Sequence, residues 1–222
     1  LEDVSFNYSN NSKIIPLKNI NMQIESGDIV GLTGKTGSGK TTLMNLILGL
    51  LQPSSGNIFY KDNNIKNINK EWKKKISFVS QNIFLFDDTI EKNISLEIDA
   101  KNIDQKKLNE TLLMSSISEF VKTLPDGLKT VVGQNGSKLS GGQIQRLGIS
   151  RALYQNPKII IFDEATNALD KNTEDKILKM IQEIKKNKLI FIVTHNTNPL
   201  NICDETIKIN ENGDCKILDR NE

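Results

Sequence analysis

Apolar residues gather along this chain in two kinds of pattern. Four short blocks carry almost no polar interruption: "IVGLT" (29–33), "ISFVS" (76–80), "IIIFD" (159–163) and "LIFIVT" (189–194). Blocks of this length predict strands buried on both faces, as in a parallel sheet covered by helices. In "LKNINMQIES" the apolar residues Leu17, Ile20, Met22 and Ile24 alternate after one offset. That spacing predicts a half-buried strand ending at the Gly27-Asp28 turn, within an antiparallel edge region. Helices are predicted over "KTTLMNLILGLL", "GGQIQRLGISRALYQ" and "NTEDKILKMIQEIKK"; in the last, Ile177, Leu178, Ile181 and Ile184 recur at helical spacing. Strands alternating with helices imply βαβ units and the α/β class.

From Gln81 to Leu139 β signals thin out and helical ones, "DQKKLNETLLMSS" and "ISEFVKTL", take over. We read residues 81–155 as a helical lobe inserted into a core made of residues 1–80 and 156–222, the first part of which also carries antiparallel β structure. The apolar positions hold no heptad register, which argues against a long coiled coil. The Asn/Lys-rich "KDNNIKNINKEWKKK" reads as solvated surface anchored by Trp72.

Composition narrows this picture only slightly. At 222 residues and 37% hydrophobic content the chain fits one globular unit. Its 29 basic and 27 acidic residues leave a net charge of +2, which gives no pull toward nucleic acid. Cys203 and Cys215 form no CxxC motif and suit a reducing compartment. No signal-peptide pattern or membrane-length apolar run is present, and the strand-like "LEDVSFNY" at Leu1 suggests a domain of a longer polypeptide.

Chemistry enters with "GKTGSGKT", Gly34 to Thr41, set between a strand and a helix. This is the context of a P-loop: glycines let backbone N–H groups turn toward phosphate oxygens, and the helix N-terminus adds its positive end. In that role Lys40 reaches the β- and γ-phosphates and the Thr41 hydroxyl takes a Mg²⁺ position. "IIIFDE" delivers Asp163 and Glu164 at the carboxyl end of a buried strand, where ligands of open parallel sheets sit. Asp163 would hold Mg²⁺ through water and Glu164 would face the attacking water; a helix N-cap with a first-turn acid is the competing reading. His195, the single histidine, ends "LIFIVT", and Gln81 follows "ISFVS", where its amide oxygen suits Mg²⁺.

A second glycine turn opens a helix at "LSGGQ", Leu139 to Gln143. With the P-loop, "IIIFDE" and His195 in this order, the chain resembles the nucleotide-binding domain of an ATP-binding cassette (ABC) transporter over nearly its whole length. The resemblance implies a P-loop NTPase core with a mixed, mainly parallel sheet flanked by helices, an antiparallel β subdomain and the inserted helical subdomain. By the same likeness Tyr8 stacks on adenine, and Gly34, Lys35, Thr36, Gly37, Ser38, Gly39, Lys40, Thr41 and Thr42 form the Walker A loop. Gln81 is the Q-loop residue, Ser140, Gly141, Gly142 and Gln143 belong to the signature, and Asp163 and Glu164 end Walker B. "NALD" up to Asp170 is the D-loop, and His195 is the switch histidine. Thr41, Gln81 and Asp163 are the metal-binding set, and Glu164, His195, Lys40 and Gln81 the catalytic one, with ATP and Mg²⁺ as ligands.

A P-loop that already wraps one face of a triphosphate leaves the signature turn with nothing to bind on that same nucleotide, so it must serve a neighbour. The family arrangement is two domains meeting head to tail, each ATP lying between one P-loop and the other's signature. An intact chain can build this as a homodimer. "QNIFLFDDTIEKNI" and the X-loop-like "TVVGQNG" resemble exporters, whose transmembrane domain precedes the ATPase domain on one polypeptide at the cytoplasmic face of a membrane. Coupling to that domain is expected around Phe84 to Thr89 and in the X-loop. Gln134 and Asn167 depart from the glutamate and serine usual at those places. An importer ATPase subunit and a soluble ABC clamp acting on nucleic acid remain open as alternatives, the latter expected to bring a coiled coil and a basic surface. The cargo is not written in these residues.

Overall fold

The computed structural model describes residues 1–8 and 17–219. In chain order the elements are β1 (Glu2–Ser5), β2 (Ile29–Gly34), α1 (Lys40–Ile47), β3 (Ser55–Asn57), β4 (Phe59–Tyr60), β5 (Asn63–Asn64) and α2 (Asn69–Lys73). β6 (Ile76–Val79), α3 (Ile90–Ser95), α4 (Gln105–Met114), α5 (Ser118–Thr123), α6 (Gly141–Tyr154), β7 (Ile159–Asp163) and α7 (Lys171–Ile184) follow. The chain closes with β8 (Leu189–Val193), α8 (Thr197–Leu200), β9 (Glu205–Ile209) and β10 (Cys215–Asp219). Contacts divide it into two compact units, Leu1–Ile76 with Lys185–Glu222, and Ser77–Ile184. The class is mixed α/β, with a mostly parallel sheet and additional antiparallel strands.

The first unit is built around β2. Its parallel neighbours are β8, with Leu32 opposite Val193, and β9, with Leu32 opposite Ile207, while β10 joins β9 antiparallel. Apolar residues on both faces of β2 and β8 are buried, as their uninterrupted runs require. Gly31 is closely packed: a Cβ there would come within 2.8 Å of Leu200 Cδ2 and 3.1 Å of the Cys203 sulfur, so those side chains would have to shift. Asp204 ties the crossover to the sheet by accepting from the Ile29 N–H at 2.8 Å and from Lys185 Nζ at 2.9 Å. Helix α1 stops at Ile47, earlier than its sequence pattern suggests, because Gly49 turns to φ 71°. Trp72 is buried and donates from Nε1 to the Ile47 carbonyl at 2.8 Å, anchoring the Lys-rich segment as expected.

Residues 17–26 differ from the predicted strand. Leu17, Ile20 and Met22 are buried, and backbone bonds tie the segment to the N-terminal strand region: Val4 and Ile20 bond in both directions as an antiparallel bridge, the Phe6 N–H donates to the Leu17 carbonyl at 2.9 Å and the Met22 N–H to the Leu1 carbonyl at 3.2 Å. Asn19 takes φ 44°, and the Asn21 side chain accepts from the Asp3 N–H at 2.9 Å, so the backbone pairing is interrupted between these bonds and no continuous strand forms.

The second unit holds a helical core of Leu85, Ile90, Ile94, Leu108, Leu112, Ile117, Val132, Leu147 and Tyr154 among others. Arg151 of α6 is partly buried within it and donates to the carbonyls of Asn93 and Phe84, at 2.7 and 2.8 Å, and to Asn93 Oδ1 at 3.2 Å. Burial pushes its pKa down. β7 is buried along its length, but its neighbour β6 is not, and Phe78 is exposed. The expectation of burial on both faces fails there because β6 is the edge strand. Among the described residues no helix is long and apolar enough to cross a membrane.

Candidate active site

In the first unit the loop between β2 and α1 is shaped by glycines. Gly34 takes φ 150°, and a Cβ on it would lie 2.5 Å from the Ile209 carbonyl oxygen and 2.7 Å from Ser38 Oγ. Gly39 is the N-cap of α1 at φ 109° and offers no side-chain cap, so the first-turn N–H groups of the helix remain for an anion. Ser38 Oγ is buried and has no hydrogen-bond partner among the described residues. An orphaned hydroxyl, uncapped amides and a backbone that only glycine can follow together fit a phosphate cradle. Lys40 Nζ donates to the carbonyls of Gly34 at 2.6 Å and Lys35 at 3.0 Å, folded over its own loop.

Thr36, Gly37 and Thr41 are exposed around this cradle and Thr42 is buried. Lys35 points to solvent and pairs with Glu211 at 2.6 Å; that hydrogen bond raises the lysine pKa and lowers the glutamate's. An ion pair this exposed adds little to stability. Tyr8 is 56% exposed, packs its ring edge-on against Phe6 and shares a hydroxyl–hydroxyl bond of 2.9 Å with Thr42. His195 follows β8 and is exposed; since β8 runs parallel to β2 with Val193 opposite Leu32, His195 leaves the sheet at the same end as the P-loop.

The second unit brings together the remaining residues. Asp163 ends β7, and Glu164 follows with φ 49°, a left-handed conformation that is strained for a glutamate. Gln81 Nε2 donates to Glu164 Oε2 at 2.7 Å, and Asn167 Nδ2 donates to the same oxygen at 2.9 Å. Asp170 accepts from the Thr173 hydroxyl at 2.6 Å and the Thr173 N–H at 3.0 Å, capping α7. Those bonds, the side-chain one foremost, hold its carboxyl below the usual range.

Ser140 caps α6 in a reciprocal box: its Oγ accepts from the Gln143 N–H and Gln143 Oε1 accepts from the Ser140 N–H at 2.8 Å. The side chains of Ser140 and Gln143 are thus engaged in capping, and Gly141 and Gly142 form the first turn behind them. A Cβ on Gly142 would sit 3.1 Å from the Ala168 carbonyl oxygen, so the D-loop and the signature turn lie close together. Arg146 spans this turn, donating to the Gly142 carbonyl at 3.2 Å and to Ser116 at 2.7 Å.

The family model described as "ABC transporter" matches residues 17–167. The chain belongs to the ABC transporter family. As an ABC domain it is an ATP-binding ATPase module. It is 36% identical over 208 residues to an ATP-dependent lipid A-core flippase of Ralstonia nicotianae, covering 93% of this chain and 35% of that protein. It is 42% identical over 210 residues to the multidrug resistance-like ATP-binding protein MdlA of Buchnera aphidicola, covering 94% of this chain and 36% of that protein. The structure of a bacterial Atm1-family ABC exporter with ATP bound superposes with a TM-score of 0.90 at 28% identity, over 99% of this chain and 38% of that one. This ABC domain therefore spans about a third of the length of the relatives it matches.

Sequence reading passed over Glu211, which holds Lys35, and treated Asn167 only as a departure from a serine. Nothing local marks either, because their partners are set by the tertiary fold. Arg146 and Arg151 carry no motif of their own; basic residues between buried positions of an amphipathic helix are the signal that singles them out.

Proposed function

We propose that this ABC domain is the ATP-hydrolysing motor of an exporter, and that it works by pairing head to tail with a second copy around two ATP molecules. The observation that carries this reading is the presence of two glycine-rich helix starts in one chain, the uncapped α1 and the Gly141-Gly142 turn that opens α6 behind its Ser140 cap, each of which could present backbone N–H groups to an anion. A single nucleotide has use for one of them, and a symmetric pair uses both. Because ATP makes more contacts in the closed pair than in one open copy, its binding shifts the equilibrium toward closure.

In this reading the core of residues 1–80 and 156–222 binds nucleotide, and the 81–155 lobe presents Phe84 to Thr89 and the X-loop to an N-terminal transmembrane domain at the cytoplasmic membrane face. The site residues act as their chemistry allows. Glu164 accepts the proton of the attacking water, His195 and Lys40 bond the γ-phosphate as charge develops, and Tyr8 packs on the base. Ser140, Gly141, Gly142 and Gln143 complete the partner's pocket, with Asp170 at the interface.

Thr41, Asp163 and Gln81 supply a hydroxyl, a carboxylate and an amide oxygen, hard donors that suit Mg²⁺. Bound there, Mg²⁺ would offset phosphate charge.

The test is Glu164→Gln. Turnover should fall by about a hundredfold or more while ATP now drives a lasting dimer, seen by light scattering. Hydrolysis near the parent rate, or a monomer under saturating ATP, refutes the reading.

A further inference from the structure

Glu164 Oε2 receives two amide donors, one from Gln81 across 83 residues of sequence and one from Asn167 three residues on. The second donor is delivered by a local device. Glu164 turns left-handed at φ 49°, the Asn167 N–H donates to the Glu164 carbonyl at 3.2 Å, and the Leu169 N–H donates to the Thr166 carbonyl at 3.0 Å. These successive turns fold the Asn167 side chain back over the carboxylate it follows. Two N–H groups converging on one carboxylate oxygen restrict rotation of the carboxylate, since each bond to a charged acceptor is stronger than a neutral one.

We propose that Asn167 is a positioning residue for the general base: with Gln81 it fixes the rotation of the Glu164 carboxylate. This rests on the assignment of Glu164 as that base. The amide is the right chemistry for the place. An aspartate of the same shape could not donate and would set a second negative charge against the base. A serine, with its hydroxyl one bond from Cβ, does not reach where an amide nitrogen two bonds out does.

The experiment compares Asn167→Ala, Asn167→Ser and Asn167→Asp in the full ATPase chain, reading kcat, the Kd for ATP without Mg²⁺, and the melting temperature. Alanine and serine should both lower kcat by about tenfold, aspartate by more, and Kd and melting temperature should stay within about twofold and a few degrees of the parent. Because Asn167 acts through Glu164, Asn167→Ala added to Glu164→Gln should cost no further single-turnover rate. Parent-like kcat in the serine variant, a loss carried by Kd, or full additivity in the double variant overturns the proposal. Should Glu164→Gln itself turn over like the parent, the assignment of the base falls, and this proposal with it.

Discussion

Tyr8 and Thr42 are joined through their hydroxyls, 2.9 Å apart, so the aromatic ring at the end of the first strand region is tied to the helix that follows the P-loop. Phe6 meets the same ring edge-on at 4.8 Å, and these two contacts fix an otherwise exposed side chain. In the proposed role of Tyr8 on the base, a ring held this way would bind without the ordering cost of a free one.

Substitutions at Tyr8 separate the ring from its tether. Tyr8→Ala should weaken ATP binding by about tenfold or more, the scale of a lost base–aromatic stack. Tyr8→Phe keeps the ring and loses the Thr42 bond, for a loss of about threefold. Tyr8→Trp should remain close to the parent. Titrating each variant with ATP and with tripolyphosphate checks the cause: the baseless anion should bind all of them alike, and an equal loss for both ligands would mean that the residue shapes the loop instead.

Two glycines of the P-loop should respond differently to a methyl group. At Gly37 a Cβ meets nothing within 4 Å, so Gly37→Ala carries only the left-handed backbone cost, about 1 kcal/mol. At Gly34 the same atom would lie 2.5 Å from a backbone carbonyl oxygen, which cannot move without disturbing β9. Gly34→Ala should therefore destabilise by about 2 kcal/mol or more and weaken ATP binding at least tenfold. Denaturant midpoints and ATP titrations of the two variants, compared directly, decide the point.

Arg151 serves the fold through three oxygen acceptors on Phe84 and Asn93. Arg151→Met keeps much of the aliphatic stem and strands those acceptors, and should lower stability by about 2–3 kcal/mol. An unchanged urea midpoint would contradict this account of how α6 holds the Phe84 segment.

Asp170 gives the chain an acid-sensitive helix start. Its folded-state pKa is depressed by the Thr173 bonds, so its contribution is present above the unfolded pKa and is lost as pH falls through the folded value. Asp170→Asn should flatten the fall in stability across the acidic carboxylate range and change little near neutrality, as acid unfolding followed by circular dichroism would report.

Local chemistry was legible from the sequence wherever a residue's role is fixed by its own neighbours. The runs of β2, β7 and β8 can only be buried strands. Ile177, Leu178 and Ile181 line one face of α7 because their spacing matches the helical repeat. The glycines at 34 and 39 fall where the backbone takes φ 150° and 109°, dihedrals that glycine adopts without steric cost, so the sharp turn between β2 and α1 was legible in their spacing. Asn19 and Asn21 mislead a periodicity reading, since alternation counts apolar positions and not the side-chain hydrogen bonds that interrupt a ladder.

Sequence by itself, then, determined the family, the glycine turn between β2 and α1 and much of the order of elements, because dihedral preference, burial period and glycine spacing are all written within a few residues. Tertiary structure alone decided that β6 lies at the edge, that Glu211 holds Lys35, and that Gln81 and Asn167 meet on one oxygen of Glu164. Those partners depend on which distant segments the topology brings side by side, and on the left-handed turn at Glu164, after which the amide of Asn167 folds back onto its carboxylate.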